Sequence, residues 1–183
     1  PERNFSKTAT NPVLGIIEGV DGLKTGYTDK SGLCLVSTMP VTGSGQDFRL
    51  IAIIMGAQSH EDRINKTKEL LEYGRDNFSF KRITDVSVPV DNVYISSSKT
   101  GTVQVYPSID FNKIVRNDEV VKTEITYNDK VSAPIAQGEK IGTISIYINN
   151  QEVGKVDAVV NEDIKKANIF VRFYRFIKDL LGF

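Results

Sequence analysis

The sequence predicts an α/β unit of three antiparallel strands and one helix, then a small all-β unit, then a C-terminal amphipathic helix. Three observations carry this. Two apolar runs rich in β-branched residues, Leu33–Val41 and Phe48–Ala57, are bounded by turn-forming residues. The apolar period then becomes helical over His60–Phe78. Beyond Phe80 the composition turns to short strand candidates at regular spacing, with turn residues between them.

Taken in order, residues 1–19 read as loop, with Pro12, Gly15 and Gly19. A short strand is predicted over Val20–Gly26, and "TDKSG" supplies turn chemistry through Asp29 and Gly32. Leu33–Val41 reads as a buried strand, "TGSGQD" as a second turn, and Phe48–Ala57 as a third strand. The last is apolar almost throughout, which suits a central strand covered on both faces better than an edge. Ser59 is an N-cap, with Glu61 and Asp62 in the first helical turn, and Ile64, Thr67, Leu71 and Phe78 mark one helix face.

The later strand candidates are "ITDVSVPV", "NVYISSS", "GTVQVYP", "EVVKTEITY", "KIGTISIYI" and "EVGKVDAVV". They suggest a β-sandwich over about residues 84–160, with Asn149-Asn150 as a hairpin turn. In "NIFVRFYRFIKDLLGF", residues 168–183, the residues Phe170, Phe173, Tyr174, Phe176, Ile177, Leu180 and Leu181 fall on one face at 100° per residue. Arg172, Arg175, Lys178 and Asp179 fall opposite. Such a helix either packs on the β-unit or lies in a membrane interface.

Composition removes several functions. The 183 residues carry 23 basic and 23 acidic side chains, so the balance gives no electrostatic argument for a nucleic-acid partner. One cysteine, Cys34, excludes an internal disulfide and a cysteine zinc site, and one histidine, His60, excludes a histidine metal cluster. No metal or cofactor is expected. No apolar run is long enough to span a bilayer. The start at Pro1, without a signal peptide, reads as the interior of a longer protein.

The chemistry-bearing stretch is "GVDGLKTGYTDKSG", Gly19 to Gly32. Lys24 has three readings. A strand lysine with its ammonium in solvent is the default. A phosphate loop fails, because Leu23 stands where that motif needs glycine and no helix follows Thr25. The third is the Lys-Thr-Gly triad of penicillin-recognising serine enzymes, Lys24-Thr25-Gly26.

Context favours the third. The run "GVDGLKTGYTDKSGLCLVST", with "RLIAIIMGA" and "LLEYGRDNF" after it, closely resembles the low-molecular-mass penicillin-binding proteins, the serine D-alanyl-D-alanine carboxypeptidases of bacteria. "VSAPIAQGEKIGTISIYINNQEVGKV" looks like that family's β-rich C-terminal domain. The resemblance runs from about residue 12 to the end. It implies residues 1–80 as the C-terminal part of a transpeptidase-like (β-lactamase-like) catalytic domain, 81–165 as the β-rich domain and 166–183 as a membrane-anchor helix.

The residue types suit a peptide substrate that ends in a carboxylate. Lys24 offers a point charge and Thr25 a hydroxyl hydrogen bond. Gly26 lets a substrate backbone lie close along the strand. The resemblance implies that the backbone N–H of Tyr27 forms half of an oxyanion hole.

The family's chemistry also needs a nucleophilic serine with lysine three residues later, and a Ser-x-Asn. Both should precede Lys24. Ser6-Lys7 has the wrong spacing, and no Ser-x-Asn occurs. Ser96 and Lys99 have the spacing but lie between strand candidates, where short motifs recur by chance. The chain is therefore expected to supply one wall of an active site, to hold no nucleophile, and to be inactive alone.

His60 reads as an exposed first-turn residue and Cys34 as a small core residue. Asp21 is either a support for the glycine-rich turn or loop polarity, and Asn65-Lys66-Thr67 is a glycosylation pattern with no relevance in a bacterial helix. The partners implied are peptidoglycan pentapeptides ending in D-Ala-D-Ala, β-lactams, and a membrane surface contacted by residues 168–183, on the outer face of the cytoplasmic membrane. The N-terminal part of the same protein, or a second copy, is expected to complete the open sheet. The rival class is a non-catalytic module for attachment or protein contacts.

Overall fold

The computed structural model of the protein describes residues 8–42 and 46–181, with side chains as far as Ile177. Ser6 and Lys7, part of the "TGSGQD" turn, and the side chains of Lys178, Asp179, Leu180 and Leu181 lie outside this description. Two compact units are present. The first contains the chain to Lys81 together with Ile114–Asp118, and the second contains Arg82–Lys113 and the chain from Glu119.

In the first unit, β1 (Gly22–Thr28), β2 (Gly32–Val41) and β3 (Phe48–Ala57) form an antiparallel sheet in the order β1-β2-β3. Helix α1 (His60–Asn77) follows. Ser59 caps it as expected, its hydroxyl oxygen accepting from the Asp62 N–H at 3.0 Å. Leu71 of α1 packs with Leu35, Met39 and Ala52 of the sheet and with Val13 and Ile17 from the preceding loop. Those loop residues are fully buried, so the segment before the sheet covers part of its core. The helix stops at Asn77. Phe78 has extended backbone and begins β4, so it does not continue the helical face.

The third strand is not central among the described residues. It forms one margin of the sheet, and Ile51, Ile53 and Met55 are exposed at 62%, 59% and 73% on the face away from α1. The continuous apolar run reflects two apolar faces, of which α1 covers one.

The strands β4 (Phe78–Thr84) and β7 (Phe111–Arg116) pair as a two-stranded ribbon. In the second unit, β5 (Asp91–Tyr94), β6 (Thr102–Pro107), β8 (Val121–Tyr127), β9 (Lys140–Ile148) and β10 (Gln151–Val159) form one antiparallel sheet in the order β5-β6-β10-β9-β8. Ile144, Ile146, Val105, Val156 and Ala158 meet in its core. The sandwich expected over 84–160 is thus distributed as this sheet and the ribbon. The strand expected over Ile83–Val90 ends at Thr84. Its remainder turns, because the Asp85 carboxylate accepts from the Ser87 hydroxyl at 2.6 Å and the Ser87 N–H at 2.9 Å. The β9–β10 hairpin closes on Asn149 and Asn150, both left-handed at φ 50° and 66°, the geometry that favours Asn.

Helix α2 (Ile169–Leu181) ends the described chain. No described helix is long and apolar enough to cross a membrane.

Candidate active-site strand

Lys24, Thr25, Gly26 and Tyr27 occupy the middle of β1, an edge strand paired only with β2 among the described residues. The turn that follows is rigid. The Ser31 N–H bonds to the Thr28 carbonyl at 3.1 Å, the two hydroxyls meet at 2.6 Å, and Gly32 supplies a left-handed φ of 65°. A Cβ at Gly32 would lie 3.1 Å from the Gly56 Cα, so the hairpin also passes close against β3.

The register fixes the direction of each side chain. Lys24 stands opposite Val36 and in line with Ile53; Thr25 stands opposite Leu35 and in line with Ile54. Successive strand residues face opposite ways, so Thr25 shares the α1 side of the sheet and Lys24 the open side. The Lys24 ammonium donates to the carbonyl of Thr25 at 2.7 Å.

On the α1 side, Thr25 and Tyr27 open into a cavity of about 750 Å³ whose other walls include Thr10, Gln58, His60 and Arg63. The Thr25 and Thr10 hydroxyls are 3.3 Å apart. Lys24 is not in this lining. Arg63 is the unexpected member. It is 5% exposed, yet its guanidinium reaches only the Cys34 carbonyl at 3.3 Å and the His60 Nδ1 at 3.1 Å, and its Nε has no hydrogen-bond partner among the described residues. An arginine has only donors, so Nδ1 of His60 accepts and its ring proton sits on Nε2. A buried guanidinium with no carboxylate partner among the described residues makes this side of β1 cationic.

Among the described residues nothing requires glycine at position 26. Its φ is not left-handed, and a Cβ there would meet only Cys34 Cβ at an ordinary 3.6 Å. Cys34 itself is free and half-buried, with Sγ 3.6 Å from the Ser31 carbonyl.

Asp21 supports the strand. Its carboxylate accepts from Thr38 Oγ1 and Arg49 Nη1, both at 2.7 Å, and its N–H bonds to the Thr38 carbonyl at 3.1 Å. The Arg49 bond, then the Thr38 bond, hold its pKa down at about 2. Ser96 and Lys99 lie in the turn between β5 and β6, in the second unit, not at a helix start.

No local sequence signal marks Arg63 as a site residue. Its carbonyl partner Cys34 is 29 residues away, and Thr10, across the cavity, is farther still in the chain. From sequence His60 reads as an exposed first-turn residue; it is exposed, and its role in the lining comes from Arg63 beside it.

The family described as "Penicillin-binding protein 5, C-terminal domain" matches residues 78–166. The D-alanyl-D-alanine carboxypeptidase DacF of Bacillus subtilis is 26% identical over 99% of this chain, and DacD of Escherichia coli is 29% identical over 84%. The chain is homologous to the C-terminal portion of the D-alanyl-D-alanine carboxypeptidases. It spans under half of these relatives, 45% of the first and 39% of the second. Among solved structures, the carboxypeptidase DacD of Francisella tularensis superposes with a TM-score of 0.58 at 27% identity, over 86% of this chain and 39% of that one. Penicillin binding protein 6B of Escherichia coli also gives 0.58, at 23% identity over 88% and 41%, which speaks to the fold. The carboxypeptidase likeness thus extends well beyond residues 78–166, to the strand that carries Lys24-Thr25-Gly26.

Proposed function

We propose that this chain is the C-terminal part of a serine D-Ala-D-Ala carboxypeptidase that trims the terminal D-Ala of peptidoglycan stem peptides through an acyl-enzyme. β-Lactams, which acylate the same nucleophile, are its inhibitors. The chain contributes the wall that receives the peptide's carboxylate end. One observation carries the reading: Lys24-Thr25-Gly26 lies on a rigid strand whose outer edge is unpaired among the described residues. An extended peptide can add to such an edge through its backbone. Gly26, which no described residue requires to be glycine, leaves that backbone room.

In this reading Lys24 supplies charge on the open side, and Thr25 donates its hydroxyl to the carboxylate. Arg63 keeps the cavity beside Thr25 cationic. The Tyr27 N–H stabilises the oxyanion that forms when the nucleophile attacks the penultimate D-Ala carbonyl. Water then hydrolyses the ester. No described Ser-x-x-Lys stands at a helix start, so the chain alone carries out no turnover. Intact-mass measurement after exposure to penicillin tests this. The 183-residue chain should stay unmodified while the full-length gene product gains one adduct; an adduct on the chain itself would overturn the assignment.

A second role, attachment, rests on α2. Ile169, Phe170, Phe173, Tyr174 and Phe176 are 62–81% exposed. An apolar row left in solvent beside Arg172 fits a helix lying in the headgroup region of a membrane. In this reading the protein sits on the outer face of the cytoplasmic membrane, where peptidoglycan precursors are found.

A further inference from the structure

Helix α2 is tied to the rest of the second unit by hydrogen bonds from one cationic side chain, Arg175. The Arg175 guanidinium donates through Nη1 to the Ser96 carbonyl at 3.0 Å and to the Ser98 carbonyl, and through Nη2 to the Lys99 carbonyl at 3.3 Å. The turn that presents these carbonyls is itself fixed. Ser98 Oγ accepts from the Gly101 N–H at 2.9 Å, Ser97 Oγ accepts from the Ala133 N–H at 2.8 Å, and the Lys99 N–H reaches the Lys165 carbonyl at 2.8 Å. Gly101 is left-handed at φ 83°, and a Cβ there would lie 3.1 Å from Arg175 Nη2. The Ser96–Lys99 stretch, which has the spacing of a catalytic pair, is therefore a seat for a helix.

Seating the helix this way opens a cleft of about 370 Å³, lined by Ser96, Ser97, Ile169, Arg172, Phe173 and Phe176. Its two sides differ chemically. One carries two hydroxyls and the Arg172 guanidinium, which has no hydrogen-bond or ion-pair partner among the described residues. The other carries exposed aliphatic and aromatic side chains. Lys99, Lys165 and Lys166 lie on the same turn and its paired segment, and none has an acidic partner among the described residues. The occupant that suits both sides has an anionic phosphate head and an apolar tail.

We propose that this cleft binds the headgroup of one anionic phospholipid. Arg172 and the Ser96 and Ser97 hydroxyls hold the phosphate, and Ile169, Phe173 and Phe176 line the start of the acyl chains. Arg175 is the positioning residue that builds the cleft. The inference rests on α2 lying at a membrane and adds a defined lipid site to that attachment.

The test uses the 183-residue chain and dihexanoyl phosphatidylglycerol below its micelle concentration, read by amide chemical shifts. Shifts are expected at Ser96–Lys99 and along α2. Arg172→Gln should weaken the binding by about fivefold or more, given the worth of one cation near a lipid surface. Arg175→Ala should abolish these shifts, and unchanged shifts would overturn the role given to Arg175. Inorganic phosphate at equal concentration should bind more weakly; equal binding would overturn the lipid assignment, since the apolar wall would contribute nothing. Absence of shifts, or wild-type binding by Arg172→Gln, would overturn the site. Co-sedimentation with vesicles of phosphatidylglycerol and phosphatidylcholine separates this from the attachment reading. Vesicle binding without monomer binding refutes the cleft alone, whereas monomer binding without vesicle binding supports the cleft and refutes the anchor.

Discussion

The Asp21 carboxylate and the Arg49 guanidinium meet at 2.7 Å, joining the start of β1 to β3 across β2. Thr38 of the intervening strand donates to the same carboxylate oxygen. The approach to Lys24 is thus tied to both neighbouring strands by one exposed side chain.

This tie has a pH dependence. Asp21 is held at about 2 against an ordinary 3.8, so its folded pKa is depressed. Its contribution is fully present above the ordinary value and is lost as pH falls through the folded one. Asp21→Asn should be less stable than wild type at pH 6, with the gap closing between about pH 4 and pH 2. Urea midpoints at several pH values measure this; a gap independent of pH would contradict it.

Arg63 separates stability from function. A buried charge without a carboxylate contributes little to folding, because its desolvation offsets its two hydrogen bonds. Arg63→Met should change unfolding free energy by less than about 1 kcal/mol. In the full-length protein the same variant should raise KM for D-Ala-D-Ala peptides. A loss of several kcal/mol in urea unfolding would mark Arg63 as structural instead.

Gly154 and Phe111 form a close pair in the second unit. A Cβ at Gly154 would lie 2.5 Å from the Phe111 ring. Gly154→Ala should cost about 1–3 kcal/mol, and Phe111→Leu should recover part of that in the double variant. A double-mutant cycle by urea denaturation gives the coupling; additive costs would show that the ring moves aside freely.

The reach of the sequence was set by range. Phe48–Ala57 and Lys140–Ile148 have the bounds expected, because apolar β-branched runs between turn formers are local signals. Ser59 and the Asn149-Asn150 turn were legible for the same reason. The strand Phe111–Arg116 was missed: it is short, and Asn112 and Lys113 break the apolar pattern. Whether Phe48–Ala57 was central or marginal depended on strand order, which no local pattern encodes. Lys24-Thr25-Gly26 was visible as a motif, but its separation of Lys24 and Thr25 onto two faces required the register. Arg175 meets carbonyls 76 to 79 residues away, so its seat could not be read from helical periodicity.

The exposed row of α2 makes a prediction that opposes the usual cost of losing aromatic residues. Phe173 and Phe176 are 65% and 62% exposed. Changing both to alanine should alter stability by less than about 0.5 kcal/mol. Vesicle binding should fall by about tenfold or more, since each side chain contributes roughly 1.5–3 kcal/mol when fully buried in the interface. Sedimentation with anionic vesicles, beside thermal unfolding, checks both halves.

The most direct test of the central claim is the rate at which a fluorescent penicillin acylates the full-length gene product, with and without Lys24→Ala. If Lys24 acts at the transition state from the wall this chain supplies, the substitution should slow acylation by about 10²-fold or more, with the fold retained by circular dichroism. Acylation of Lys24→Ala at the wild-type rate would contradict the account.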